Sequence, residues 1–254
     1  MIDTHAHVHD ARFDEDRSEV LARAKAAGIA TMVTVGCDLA DSHRALETAK
    51  DNRIYASIGV HPHEAKDAPS DIPLVFEPFL HDRRVVAIGE TGLDYYYDHS
   101  PHDVQRDVMR EQVRLARESG FPLIFHQRDA YNDFMAILQD EWTDDMRGVI
   151  HCFTGDTEQA FRYTKEFGLY LGIGGVLTFK TADPIREAVA AVGLESLVLE
   201  TDCPYLAPIP HRGDRNEPAY VTLTAQKVAE LLSIPVETVE TATDANARTL
   251  FQFH

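Results

Sequence analysis

The sequence predicts an α/β protein built as a closed (β/α)8 TIM barrel, and three observations predict it. Eight short runs of β-branched or apolar residues recur along the chain, apolar on both faces as buried parallel strands must be. Longer segments with helical spacing lie between them, as the crossovers of a parallel sheet require. Eight such units in 254 residues match a closed barrel, which typically takes about 250. An open doubly wound sheet is the alternative, and no GxGxxG turn follows the first run to favour it.

In chain order the runs are the opening MID, TMVTV at 31–35, IYASIGV at 54–60, VVAIG at 85–89, PLIFH at 122–126, GVIH at 148–151, LYLGI at 169–173 and LVLET at 197–201. The clearest crossover helix is DVQRDVMREQVRLARES at 103–119, where Val104, Val108, Val113, Leu115 and Ala116 share one side. Arg106, Arg110, Arg114 and Arg117 alternate with acids on the other, which reads as a solvated face and not a basic binding surface. The tail from Pro218 adds helix, with Pro235 restarting it and Asn246 expected near a helix end. No low-complexity linker interrupts the chain, so residues 1–254 read as a single domain.

Composition narrows the function. Lys+Arg of 24 against Asp+Glu of 42 gives a net charge of −18, which excludes a basic groove on duplex DNA. With 44% hydrophobic and 26% charged residues, disorder is excluded as the main state. No stretch approaches the about 18 apolar residues of a membrane span, and MIDTHAHVHD is not a signal peptide, so the expectation is a cytoplasmic protein without membrane partners. Cys37, Cys152 and Cys203 lie far apart without a CxxC pair, so buried reduced thiols are expected, not disulfides or a thiolate zinc site.

Mapped onto the barrel, the chemistry-capable residues fall at C-terminal strand ends: His5 and His7 on strand one, Glu90 on strand four, His126 on strand five, His151 on strand six and Asp202 on strand eight. Those ends converge on the face that holds the active site in nearly every enzyme of this architecture. His5 and His7 are two apart, so an extended chain aims both imidazoles to one side. A lone HxH is more often structural; six convergent candidate ligands are not. Imidazoles with carboxylates suit zinc, manganese or iron, and six ligands exceed the needs of one four-coordinate ion. A two-metal centre bridged by Glu90 is therefore expected. Asp202 precedes Cys203 and Pro204 at the rim, where its carboxylate can act as general base on an activated water; capping the next turn is its structural alternative.

DTHAHVHD, IGVHPHEA, AIGETGLDYYYD, FHQRDAY, VIHCFTGD, LETDCPYLAP and RGDRNEP occur in this order. The chain resembles the TatD-type metal-dependent hydrolases of the amidohydrolase-like barrel group, over residues 2 to about 218. The resemblance implies metal ligation by His5, His7, Glu90, His126, His151 and Asp202. It also implies a deoxyribonuclease, an exonuclease on single-stranded or damaged DNA often supported by magnesium, so the two cations are expected to be Mg, Mn or Zn. Family members commonly read RGKRNEP, whereas Asp214 stands here in place of the lysine. With a net charge of −18, short ends fit better than extended duplex.

For such a reaction an activated water attacks the phosphate in line and Asp202 takes its proton. Arg128 and Arg212 are expected to hold phosphates, with Arg215 divided between that role and a surface ion pair. His61 is expected to touch substrate and His63 to close the turn after Pro62. One of Tyr95, Tyr96 and Tyr97 can stack on a base, or the rings can simply pack over the rim. Glu200 shares the side of Asp202 and is expected to orient a ligand, whereas Cys152 and Cys203 should point away from the site. The competing functions are a barrel hydrolase acting on an amide, lactone or small phosphoester, and a non-catalytic metal-binding scaffold. The first normally bridges its metals with a modified lysine on strand four, where this chain has Glu90. No obligate protein partner is evident, and a monomer is expected.

Overall fold

The computed structural model describes residues 1–51 and 53–254. Eight parallel strands run in sequence order around one sheet: β1 (Ile2–Ala6), β2 (Thr31–Val35), β3 (Ile54–Ile58), β4 (Val85–Asp94), β5 (Leu123–Arg128), β6 (Gly148–Ile150), β7 (Tyr170–Ile173) and β8 (Leu197–Leu199). The last strand returns to the first through Thr4 Oγ1 donating to Leu199 O at 3.0 Å and Asp202 N donating to His5 O at 2.8 Å. The sheet is thus a nearly closed TIM barrel, as the strand spacing predicted.

The helices are α1 (Arg17–Ala26), α2 (Leu39–Thr48), α3 (Ile72–Phe76), α4 (His102–Ser119), α5 (Tyr131–Glu141), α6 (Thr157–Phe161), α7 (Asp183–Val192), α8 (Val221–Leu232) and α9 (Val236–Phe251). Their apolar faces cover the outside of the sheet in one large buried cluster. A second cluster joins Ile2, Val33, Val86, Ile124, Val149 and Val198 to Leu250 and Phe251 of α9. α9 is tied there by Ile2 N donating to Asp244 Oδ1 at 2.8 Å and by Arg147 on Leu250 O. These contacts lie at the starts of the strands, so α9 closes the base of the barrel and leaves the opposite mouth for the site.

Several elements differ from expectation. β4 does not stop at Gly89; it runs to Asp94, which puts Glu90 inside the strand and not at its end. Its outer half pairs with β5 in the register Gly92↔His126 and Asp94↔Arg128, after an irregularity between Ile88 and Thr91. Gly92 makes that approach possible: its φ is +141°, and a Cβ there would lie 1.9 Å from His126 O. The arginine face of α4 is not simply solvated. Arg106 pairs with Asp133 at 3.0 Å, Arg110 with Asp140 at 2.9 Å and Arg114 with Glu141 at 2.5 Å, docking α4 on α5. The buried face of α4 includes Gln105 and Gln112, whereas Val104 is half-buried. Pro235 does precede α9, but Asn246 lies within that helix and donates to Leu194 O and Leu197 O at 2.7 and 2.8 Å. It fastens the helix to the start of β8.

Candidate metal centre

The mouth is a cavity of about 600 Å³ walled by side chains from most of the strand ends. β1 delivers His5 and His7, whose Nε2 atoms lie 3.3 Å apart. His5 Nε2 is 3.3 Å from Glu90 Oε2 and 3.8 Å from Asp202 Oδ1, and His7 Nε2 is 3.4 Å from that same Asp202 oxygen. The other oxygen of Glu90 faces a second group: Oε1 lies 2.9 Å from His126 Nδ1, 3.5 Å from His61 Nε2 and 3.6 Å from His151 Nε2. One buried carboxylate therefore stands between two sets of imidazoles.

Local backbone explains two of these positions. Asp202 has φ +57° and Cys152 has φ +45°, so the chain turns sharply just past β8 and just past His151. At Asp202 the turn sends the carboxylate back over β1, with its own amide held by His5 O. At Cys152 the turn leaves the sulfur within 4.8 Å of donor atoms of His151 and Glu200, and Cys152 is not among the residues that wall the cavity. Cys203 is fully buried off the cavity wall, as alternation predicted. Glu200 lies 3.0 Å from His151 Nδ1 and accepts from Cys152 N at 2.6 Å, in line with a ligand-orienting place.

The electrostatics divide the cluster. Burial disfavours the charged form of Glu90, yet the imidazoles of His151, His61 and His5 hold its carboxyl well below the usual range. Burial likewise works against Asp202, which His7, His151 and His5 keep low. His151 is desolvated, but Glu200 and Glu90 push it up to about 9. Burial and the nearby His151 lower His5, and burial takes His61 down to about 4 despite Glu90. Ionised carboxylates and imidazoles competing for protons in a buried cluster are the condition that a divalent cation relieves.

The donor set fits such an ion. Among the described residues, four groups of three residues bring donor atoms within 4.8 Å of one another, including His5, His7 and Glu90; His5, His151 and Asp202; and His61, Glu90 and His126. His7 Nδ1 lies 2.8 Å from Val35 O, which can only accept, so Nδ1 carries a proton and Nε2 is the nitrogen turned to the cavity. His5 Nδ1 is buried without a hydrogen-bond partner, so nothing in the protein compensates for the crowding at its other nitrogen.

The family description "TatD related DNase" matches residues 2–252. The chain belongs to the TatD-related DNase family. As a TatD-family protein it is a metal-dependent hydrolase. It is 43% identical over 256 residues to the uncharacterized metal-dependent hydrolase YabD of Bacillus subtilis (strain 168), covering 100% of both chains. It is 38% identical over 259 residues to a protein of Cronobacter sakazakii named 3'-5' ssDNA/RNA exonuclease TatD, covering 99% of this chain and 97% of that one. The crystal structure of the TatD homologue YJJV from Escherichia coli K12 superposes with a TM-score of 0.92 at 29% identity, over 99% and 98% of the two chains.

The expected substrate contacts of this TatD-family chain separate. Arg128 lines the cavity, with its guanidinium 4.0 Å over the Tyr96 ring and 4.8 Å from Tyr97. Among the described residues no carboxylate lies within ion-pair distance of it, whereas Arg44, the other arginine on the wall, is bound to Asp41 at 2.6 Å. His61 and His63 both line the cavity. Arg212 lies off the wall, stacked 4.0 Å over Phe179. Arg215 pairs with Asp16 at 2.5 Å and is a surface ion pair. Tyr96 and Tyr97 are 58% and 51% exposed, but Tyr95 stacks on His102 and donates to Asp133 at 2.7 Å.

Sequence reasoning missed Asp94, fully buried between His126 Nε2 at 2.9 Å and His63 Nε2 at 3.0 Å. The signal was present, since Glu90, Gly92 and Asp94 alternate on one side of an extended chain. Ending the strand at Gly89 hid it. Asp3 was also missed. Burial raises its carboxyl to about 8 even though Thr201 donates through both Oγ1 and N, at 2.6 and 3.0 Å.

Proposed function

We propose that this TatD-family hydrolase cleaves phosphodiester bonds at the ends of single-stranded DNA, working from the 3′ end, with two divalent cations of the Mg, Mn or Zn type. The observation that carries the reading is Glu90, whose two oxygens face separate imidazole sets at 3.3 Å on one side and 2.9 Å on the other. In this reading His5, His7 and Asp202 would hold one cation, His126 and His151 the other, and Glu90 would serve both. Cations held there would supply positive charge against the phosphate and lower the pKa of a bound water.

The chain supplies the rest. Asp202, kept ionised by its histidine neighbours, accepts the proton of the attacking water. His7, pinned through Nδ1 by Val35 O, keeps its ring fixed while charge builds on the phosphate. Arg128 offers its N–H donors to a phosphate oxygen, since its ring stacking leaves them without a protein acceptor. Tyr96 and Tyr97 present exposed rings on which an unpaired base can stack, and this suits a single strand better than a duplex. His61 lies where it can touch the scissile group. Arg212, stacked on Phe179 away from the cavity wall, is given no part. The sequence name of the Cronobacter sakazakii relative supports both the substrate class and the polarity.

The test is digestion of single-stranded oligonucleotides labelled at either end, with Mg²⁺, Mn²⁺ or Zn²⁺ and with chelator. Stepwise shortening from the 3′ end that chelator abolishes is expected. Turnover of a lactone or amide panel without nucleotide release would replace this reading with that of a barrel amidohydrolase.

A further inference from the structure

The outer half of β4 carries a carboxylate to which no role in the chemistry has been given. Asp94 is fully buried, and each of its oxygens has a separate task. Oδ1 accepts from the backbone amides of Tyr96 and Tyr97, both at 3.0 Å. Oδ2 accepts from His126 Nε2 at 2.9 Å, and His63 Nε2 lies 3.0 Å from it, off the hydrogen-bond direction. The Asp94 backbone is itself clamped by Gln105 of α4, whose Oε1 accepts from Asp94 N at 2.8 Å and whose Nε2 donates to Asp94 O at 3.0 Å. A side chain held this firmly can set the orientation of whatever it binds.

We propose that Asp94 is a positioning residue that joins the aromatic rim to the metal centre by fixing the ring and tautomer of His126. An ionised carboxylate only accepts, so the His126 nitrogen facing it must carry the proton. Without an ion Nδ1 also donates, to Glu90 Oε1 2.9 Å away; a cation approaching Glu90 would displace that proton, whereas the proton on Nε2 stays with Asp94. The same carboxylate folds the turn that presents Tyr96 and Tyr97 beneath Arg128. One residue therefore sets the distance between the base-stacking surface and the ligand. This inference rests on the two-cation reading above, in which His126 is a ligand.

Asp94→Asn is the informative variant because it separates the two tasks. Asn Oδ1 can still accept from the two tyrosine amides, whereas its NH2 group donates toward His126 Nε2. That forces the proton onto Nδ1, where it occupies the cation's approach. Calorimetric titration of Mn²⁺ into the metal-free wild type and variant should show two sites in both. One site of the variant should be weakened by about 10- to 100-fold, the loss typical when the partner behind a ligating histidine is removed. Raising Mn²⁺ should restore kcat, with KM for a single-stranded oligonucleotide unchanged, a rescue that general loosening of the fold would not show. Equal Mn²⁺ affinities in wild type and variant would overturn the proposal.

Nitrogen-15 spectra of the His126 ring in the wild-type Mg²⁺ or Zn²⁺ form decide the matter if the variant does not fold. A proton on Nε2 is expected, and a proton on Nδ1 would overturn the proposal. A wild type that takes up a single ion defeats the two-cation reading itself, and the ring spectra still judge Asp94 on its own.

Discussion

The two ends of the barrel are built on opposite principles. At the base, Val33, Val86, Ile124, Val149 and Val198 meet Leu250 and Phe251 of α9, and that cluster is apolar throughout. At the mouth, His5, His7, Glu90 and His151 are buried about as deeply, but they carry charge or lone pairs. Burial at the base lowers the free energy of the fold, by about 25 cal/mol for each Å² of apolar surface removed from water. Burial at the mouth raises it, because ionised groups lose hydration and gain only one another. The base is complete as the chain folds, whereas the mouth gathers the donor atoms that a metal-dependent hydrolase needs.

That contrast can be broken or sharpened by substitution. Glu90→Gln removes the carboxylate common to both imidazole sets and should cost about 10³-fold or more in metal-dependent turnover. The metal-free variant should melt below wild type, since ionised Glu90 is the counter-charge of the imidazoles that hold its carboxyl low. A metal-free variant that melts no lower would mean that those imidazoles do not depend on Glu90. Asp202→Asn should lower kcat by about 10²- to 10⁴-fold, the range for loss of a general base. Cleavage at the wild-type rate would remove Asp202 from the mechanism.

Leu250→Ala at the base should do the reverse, destabilising by about 2–5 kcal/mol as a cavity opens under the strand starts. Denaturant titration measures that loss, and kcat at low temperature should stay at the wild-type value. A kcat that falls with stability would mean that the two ends are coupled. Arg128→Ala has the smallest effect expected, a rise in KM of about tenfold for loss of charge-assisted hydrogen bonds to phosphate. Its kcat should hold, and the dependence of binding on salt should become shallower. A change confined to kcat would move Arg128 from holding substrate to the chemistry.

Legibility in the sequence followed the same division. The parallel barrel could be read because strands buried on both faces leave unbroken apolar runs, and all eight appear within a few residues of their observed places. The gathering of His5, His7, Glu90, His126, His151 and Asp202 at one mouth follows from that topology alone, since parallel strands share one end. What escaped depends on local backbone. Two glycines with positive φ let β4 continue past Gly89, so Glu90 fell mid-strand and Asp94 went unseen. The arginines of α4 looked solvated because their partners sit on α5, and periodicity within one helix carries no information about the next. Arg212 and Arg128 were indistinguishable as residue types; only the fold shows that one lies over Phe179 and the other on the cavity wall.

The account stands or falls on Glu90 as the shared carboxylate of a two-cation centre. The most direct measurement is a crystal structure of the Mn²⁺-loaded protein with anomalous scattering to locate the ions. Two ions per chain are predicted, each in contact with a different oxygen of Glu90, one among His5, His7 and Asp202 and the other among His126 and His151. A single ion, or a pair that leaves Glu90 uncoordinated, would contradict it.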